Sequence, residues 1–247
     1  MSRQVLYGLN AVAEALASGA AVESVHLAIG LRDATRKEVE ELARARGVPV
    51  LRADRRELDR LAGGGVHQGV LAFWGQPEAV AVEDLAAAAA TADRRSLVVC
   101  LDEVQDPRNL GAVARSALAL GATGLVVPQH RAAGVTPAAV KASAGALCRL
   151  PVAKVTNLGQ ALEKLKELGF WLAGAVLEGG QPPWEIDPGE RVALVLGSEG
   201  EGLRPSIAQK LDFRVKIPML QGSESLNVSV AAALLMYEWL ARPRRAK

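Results

Sequence analysis

The sequence predicts an α/β protein: a mostly parallel sheet with helices on both faces, preceded by a small α/β unit. Three observations carry that expectation. From residue 96 onward, short runs that are apolar throughout, such as "SLVVCL" and "RVALVLG", alternate with stretches at helical spacing, the pattern of strands buried on both faces by crossover helices. Hydrophobic residues make up 50% of the 247, enough for a sizeable core. A proline-containing, alanine-rich stretch over 76–95 separates this half from an earlier alternation of the same kind, which places a boundary there.

In the first part, "SVHLAIG" (24–30) reads as a strand. Residues 33–47 follow as a helix, with Val39, Leu42 and Ala43 on one face and a terminal glycine, then "VPVL" (48–51) as a strand. "DRRELDRLAGGG" gives a second helix, and "VHQGVLAFWG" a strand entered through glycines. The expected organisation is a domain over 1–75, a linker with a connecting helix over 76–95, and a second domain over 96–247. In that second domain, strands are expected at "SLVVCLDEV", "ATGLVVP", "RLPVAKV", "FWLAGAV", "RVALVLG" and "FRVKIP". Helices are expected at "NLGAVARSALALG", "TPAAVKASAGAL", "NLGQALEKLKELG" and "LRPSIAQKL", with a final one from residue 227.

A formal charge of +2 and a pI near 8.6 create no field that demands nucleic acid, and exclude none. Cys100 and Cys148 each lie in an apolar run and read as buried, reduced thiols. His26, His67 and His130 have no ligand spacing, so no metal is expected. The N-terminus lacks a basic-then-apolar signal pattern and no uninterrupted apolar run approaches the length of a membrane span, about 18 residues. A soluble, cytoplasmic protein with no membrane contact is the expectation.

In parallel sheets ligands collect at the carboxyl ends of strands, so the loops there matter most. "LDEVQDPRNLGAVARSALALGA" (101–122) leads Pro107 and Asn109 into a helix that carries Arg115 among alanines, valine and leucine. Taken alone, that arginine reads equally as a snorkelling surface side chain or a functional one. "ALVLGSEGEGL" (193–203) ends a strand in Gly197, Glu199, Gly200 and Gly202, a plain glycine turn or a place where bare backbone N–H groups meet a ligand. It matches neither the dinucleotide nor the triphosphate glycine fingerprint. "IPMLQGSESLNVSVAAALL" follows a further strand, and Ser225 or Asn227 there reads as a helix cap.

Together these three pieces resemble the motifs of the SpoU-type (TrmH family) RNA ribose 2'-O-methyltransferases, a branch of the knotted methyltransferases. The first motif corresponds to Asn109, Gly111, Arg115 and Gly121, and the second to Gly197, Glu199 and Gly202. The third is the stretch from Ile217 through Ser225, Leu226 and Asn227, with one residue more between Met219 and Gly222 than the common spacing. The resemblance covers about 96–242; "LYGLNAVAEAL" and "HQGVLA" resemble the ends of the small substrate-binding domain in the branch that acts on guanosine of large-subunit ribosomal RNA.

The resemblance implies a trefoil knot, a homodimer that includes the last helix, and S-adenosylmethionine held near Ala175, Gly197, Ile217, Met219 and Leu226. It implies RNA, 23S rRNA foremost, as partner, with Asn109, Arg115, Glu199, Ser225 and Asn227 converging as the catalytic set. Transfer RNA as substrate, or an RNA-binding protein without catalysis, are the alternatives. A guanidinium with an ordinary pKa of about 12.5 is roughly 7 kcal/mol from neutrality at pH 7. The reading therefore makes Arg115 a phosphate clamp that stabilises alkoxide charge, with Glu199 orienting Arg115 or Asn109 and the Ser225 and Asn227 side chains positioning the ribose. Further RNA contacts are expected from Arg3, Arg108, Arg131, Lys141 and the basic tail with Arg242, Arg244 and Arg245.

Overall fold

The computed structural model describes residues 3–18, 21–75, 78–220 and 225–241. Packing divides the chain into two units, Met1–Glu78 with Val135–Arg149, and Ala79–Gly134 with Leu150–Lys247.

The first unit contains β1 (Arg3–Tyr7), α1 (Leu9–Ser18), β2 (Val22–Ala28), α2 (Asp33–Ala45), β3 (Val50–Ala53), α3 (Arg55–Ala62) and β4 (Val70–Gly75). Its sheet runs β1-β4-β2-β3, antiparallel except for the β2–β3 pair. Neither β1 nor α1 stands out as an element in the sequence. The third strand starts two residues later than expected, after Val48 and Pro49, and α3 is capped by Asp54, whose side chain accepts the Glu57 N–H at 2.9 Å. Ala28, Ala53, Leu58, Ala62 and Leu71 form a core between the sheet and α3.

The second unit begins earlier than expected. Helix α4 (Val82–Ala90) buries Val82, Leu85, Ala86 and Ala89 in the same cluster as Val98, Val126 and Leu162. Val80 bridges Ala153 in parallel. Residues 79–95 therefore belong to this unit and are not a linker: Val82, Leu85, Ala86 and Ala89 make one buried face of α4.

Next come β5 (Ser96–Leu101), α5 (Pro107–Leu120) and β6 (Gly124–Pro128), then α6 (Pro137–Ala142), β7 (Val152–Val155), α7 (Leu158–Glu167) and β8 (Trp171–Ala175). The chain ends with β9 (Arg191–Leu196), α8 (Pro205–Ala208), β10 (Phe213–Val215) and α9 (Val228–Met236), followed by a π-helical turn, Tyr237–Ala241. The six strands lie in the order β10-β8-β9-β5-β6-β7, and every pair is parallel.

Two expected helices are shorter in the structure. Residues 136–147 break after α6, where Ala144 and Gly145 take φ of 48° and 74°. The Ser143 hydroxyl fastens that break, donating to the Val140 carbonyl at 2.8 Å and accepting the Leu147 N–H at 3.2 Å. This segment, expected in the second domain, packs with α1 and β1 of the first unit, burying Ala139, Val140 and Leu147. Helix α8 is a single turn.

Cys100 is buried in β5, and burial pushes its thiol pKa up; Cys148 is half-buried. No helix among the described residues is long and apolar enough to cross a membrane.

Candidate active site

The strand order reverses between β9 and β5: from β5 the chain steps outward through β6 and β7, then returns to β8 on the far side of β9. At such a reversal the loops leaving the two central strands splay apart and open a crevice. Here those loops carry the first two motif stretches.

After β5, Asp106 caps α5 by accepting the Arg108 N–H at 2.8 Å, with Pro107 in the first turn. This places Asn109 on the opening turn of the helix. After β9 the chain makes a pinched loop, with Ser198 and Gly202 exchanging backbone hydrogen bonds of 3.1 and 3.0 Å. Glu199 projects from it. Helix α9 packs alongside α5 and is capped by Asn227, whose Oδ1 accepts the Ser229 N–H at 3.0 Å and the Ser229 hydroxyl at 2.5 Å.

The three side chains close into a ring. Asn109 Nδ2 donates to Glu199 Oε1 at 3.0 Å, and Asn227 Nδ2 donates to Asn109 Oδ1 at 3.0 Å and also to Glu199 Oε1. A carboxylate can only accept, so Glu199 fixes which way both amides face. Ser229 holds the remaining acceptor of Asn227. Sequence reasoning missed Ser229, whose only signal is a hydroxyl two residues into a capped helix.

Glu199 is shared with a cavity of about 270 Å³ at the carboxyl ends of β8, β9 and β10. All five residues expected to hold the cofactor line it: Ala175, Gly197, Ile217, Met219 and Leu226. Ser225 lines it too, and does not bond to the ring. The lining is mostly apolar, with the carboxylates Glu199 and Glu201 and no lysine or arginine among the described residues. Such a site suits a cationic ligand with apolar parts.

Arg115 joins neither the ring nor the cavity lining. Six residues along α5 from Asn109, it lies about 9 Å farther up the axis and about 120° around it. It is exposed and makes no hydrogen bond or ion pair among the described residues. Of the two partners expected for Glu199, Arg115 or Asn109, it is Asn109 that it bonds. Arg108 and Lys141 are exposed, while Arg131 lies 3.6 Å from Glu103. Arg242, Arg244, Arg245 and Gly222 fall outside the described residues, as does the side chain of Arg3. No group of three or more histidine, cysteine or acidic residues that could hold a metal occurs among the described residues.

The model of the SpoU rRNA Methylase family matches residues 96–237. The chain is also 40% identical over 240 residues to YacO of Bacillus subtilis, named for the TrmH family of tRNA/rRNA methyltransferases, covering 96% of both chains. This chain belongs to the SpoU rRNA methylase family. A second model, RNA 2'-O ribose methyltransferase substrate binding, matches residues 5–79 of this SpoU protein. It is 41% identical over 236 residues to the 23S rRNA (guanosine-2'-O-)-methyltransferase RlmB of Xanthomonas campestris pv. campestris, covering 95% of each chain. Among solved structures, the SpoU methyltransferase AviRb from Streptomyces viridochromogenes in complex with AdoMet superimposes with a TM-score of 0.78 at 27% identity, over 97% of this chain and 89% of that one. As a SpoU family member the protein is an RNA methyltransferase.

Two residues that sequence reasoning did not single out hold the SpoU site's loops together. Asp102, at the end of β5, is fully buried. It accepts the Arg204 backbone N–H at 2.9 Å and Nε at 2.8 Å, with Nη2 at 2.6 Å. The hydrogen bond to Asp102 raises the Arg204 guanidinium above its ordinary range, against a smaller lowering by burial. With the guanidinium held above its ordinary range, its share of the stability is present below that range and is lost as pH rises through it. Because Asp102 precedes the Asn109 helix and Arg204 follows the Glu199 loop, their pair sets the spacing across the crevice. Arg204→Ala leaves a buried carboxylate short of donors, at a cost of about 2–3 kcal/mol reduced by the solvent that reaches the outer face of the arginine. Urea unfolding should show a lower midpoint at unchanged m-value, their product giving a free-energy loss of that size; an unchanged midpoint would mean the pair is an ordinary surface contact.

Proposed function

We propose that this protein transfers a methyl group from S-adenosylmethionine to the 2'-hydroxyl of a guanosine in 23S rRNA. The observation that carries the reading is the Asn109–Glu199–Asn227 ring set on the rim of an apolar, acid-flanked cavity at the strand reversal. The guanosine and the 23S rRNA rest on the relative named for that reaction, which matches nearly the whole chain.

When bound, S-adenosylmethionine supplies a methyl on a cationic sulfur and departs as a neutral thioether. The lining residues fit it: Ala175, Gly197, Ile217, Met219 and Leu226 bring apolar surface and backbone groups, and Glu199 and Glu201 offset positive charge. The protein must then hold one ribose in line and stabilise negative charge as the hydroxyl proton passes to solvent water. The ring amides and the Ser225 hydroxyl position the ribose. Glu199, already accepting two amide donors, acts by orienting them. Arg115, exposed and unpaired, clamps the phosphate beside the target and stabilises the developing alkoxide.

The same proposal includes the knot, a cytoplasmic location, the RNA-gripping role of residues 1–75 and a homodimer. Val230, Leu234 and Tyr237 support the dimer: they are 46%, 48% and 56% exposed and recur along one stripe of α9 and the turn that follows it, a surface suited to a second copy.

Mapping 2'-O-methyl sites in total RNA from cells with and without the gene tests the substrate. Loss of one guanosine site in 23S rRNA is expected; loss of a tRNA site, or of none, overturns that assignment. Arg115→Ala should lower kcat by about 100-fold, the scale of one transition-state donor, with cofactor affinity within a few-fold. A variant that still methylates near the original rate removes Arg115 from the mechanism.

A further inference from the structure

The stretch "HQG" at 67–69 has no part in the chemistry above, yet the fold holds it under constraint. Gln68 takes a φ of 53°, the left-handed region that non-glycine residues rarely occupy. His67, 4% exposed, braces it: Nδ1 accepts the Gly69 N–H at 3.0 Å, which leaves Nε2 to donate to Asp59 Oδ1 at 2.9 Å. Backbone strain of this kind costs about 1–3 kcal/mol and persists only where its surroundings enforce it. Its effect here is to present the Gln68 side chain on the wall of a cleft of about 430 Å³, lined also by Ile29, Leu31, Arg32, Thr35 and Arg55.

Several arginines of this unit are tied to neighbours. Arg36 is tied to Asp33 and Glu40, Arg52 to Glu40, and Arg46 to the Ala17 carbonyl. Arg32, the cap residue of α2, and Arg55, the first residue of α3, line the cleft, and their side chains have no hydrogen bond or ion pair among the described residues. No carboxylate among the described residues lines it. Ile29, 70% exposed, adds an apolar surface beside them.

We propose that this cleft binds one unstacked nucleotide of the RNA substrate. Arg32 and Arg55 take its phosphates, the Gln68 amide takes a base edge with one donor and one acceptor, and Ile29 packs on the base face. A cleft of about 430 Å³ is on the scale of one extruded nucleotide. The inference rests on the proposed RNA substrate and places its grip in the first unit, at residues outside the three motifs.

The experiment measures binding of the full-length protein to protein-free 23S rRNA across a salt series. Arg32→Ala/Arg55→Ala should weaken binding about tenfold and lower the slope of log affinity against log salt by about 1.4, at roughly 0.7 per single-strand phosphate contact. Gln68→Gly, which suits the left-handed backbone, should weaken binding with the slope unchanged. Thermal unfolding followed by circular dichroism should match the parent, which shows that each variant is folded, and S-adenosylmethionine affinity should stay unchanged because that cavity lies in the second unit. RNA affinity within twofold of the parent, with an unaltered slope in the double variant, overturns the proposal. If the losses appear as expected while the parent protein methylates no ribose, the cleft stands and the catalytic reading fails.

Discussion

Asn227→Ala is expected to lower kcat by about a thousandfold while costing only about 1 kcal/mol of stability. The stability figure is that of a lost helix cap, since the side chain accepts the Ser229 N–H at the start of α9. The activity figure comes from two amide donors aimed at Asn109 and Glu199. A single preorganised donor is worth about 100- to 1,000-fold in kcat, and removing Asn227 also releases the amide of Asn109, which the ring holds in one orientation. Asn227→Ser separates the two roles. Serine caps a helix nearly as well as asparagine, but its shorter side chain cannot donate to both partners. Thermal unfolding should place the serine variant close to the parent, and single-turnover methylation should place it close to alanine. A serine variant with more than a tenth of the parental kcat would show that capping is all Asn227 does.

The capping role and the ring role coexist in one residue, and that limits what the sequence reveals. A cap is a local event: an oxygen two residues from an N–H, readable from a Ser or Asn ahead of an apolar run. The ring is not local. It joins positions 109, 199 and 227, which meet only because β5 and β9 are neighbours and α9 lies along α5. Periodicity indicates six strands and covering helices, but not that β9 inserts beside β5 or that the chain reverses there. The motif resemblance supplied the convergence of Asn109, Glu199 and Asn227 that periodicity lacks, while Arg115 lies outside that ring. A motif places residues in one stretch of chain, whereas a helix sends positions six apart in different directions.

The other departures share a cause. The alanines of α4 read as a linker because alanine carries little hydrophobic signal, yet four buried positions pack in the core of the second unit. The 136–147 helix breaks where a glycine and a serine fasten the chain, a preference weaker than the helix propensity around it. Asp102 and Arg204 were invisible as a pair because a buried charge shows only when its partner is in view.

Gly197→Ala should weaken S-adenosylmethionine binding by up to about 100-fold. The sequence invites the view that this glycine lets a ligand approach bare backbone. The structure gives it a second duty. A Cβ at position 197 would lie 2.0 Å from the Gly202 carbonyl carbon, 2.1 Å from its oxygen and 2.4 Å from the Leu203 nitrogen. These are backbone atoms, so no side chain can swing aside. The loop must spread, breaking the paired bonds between Ser198 and Gly202, and both Glu199 and the cavity wall move with it. Overpacking of this kind costs about 1–3 kcal/mol; if it falls on the bound state, cofactor affinity drops by roughly 5- to 150-fold. Gly200→Ala is the control, since a Cβ there meets nothing within 4 Å. Calorimetric titration should separate the two, with the position-200 variant binding like the parent. Equal affinity for both would mean that the pinch between Ser198 and Gly202 does not shape the cofactor site, and the backbone at 197 would then matter only for ligand approach.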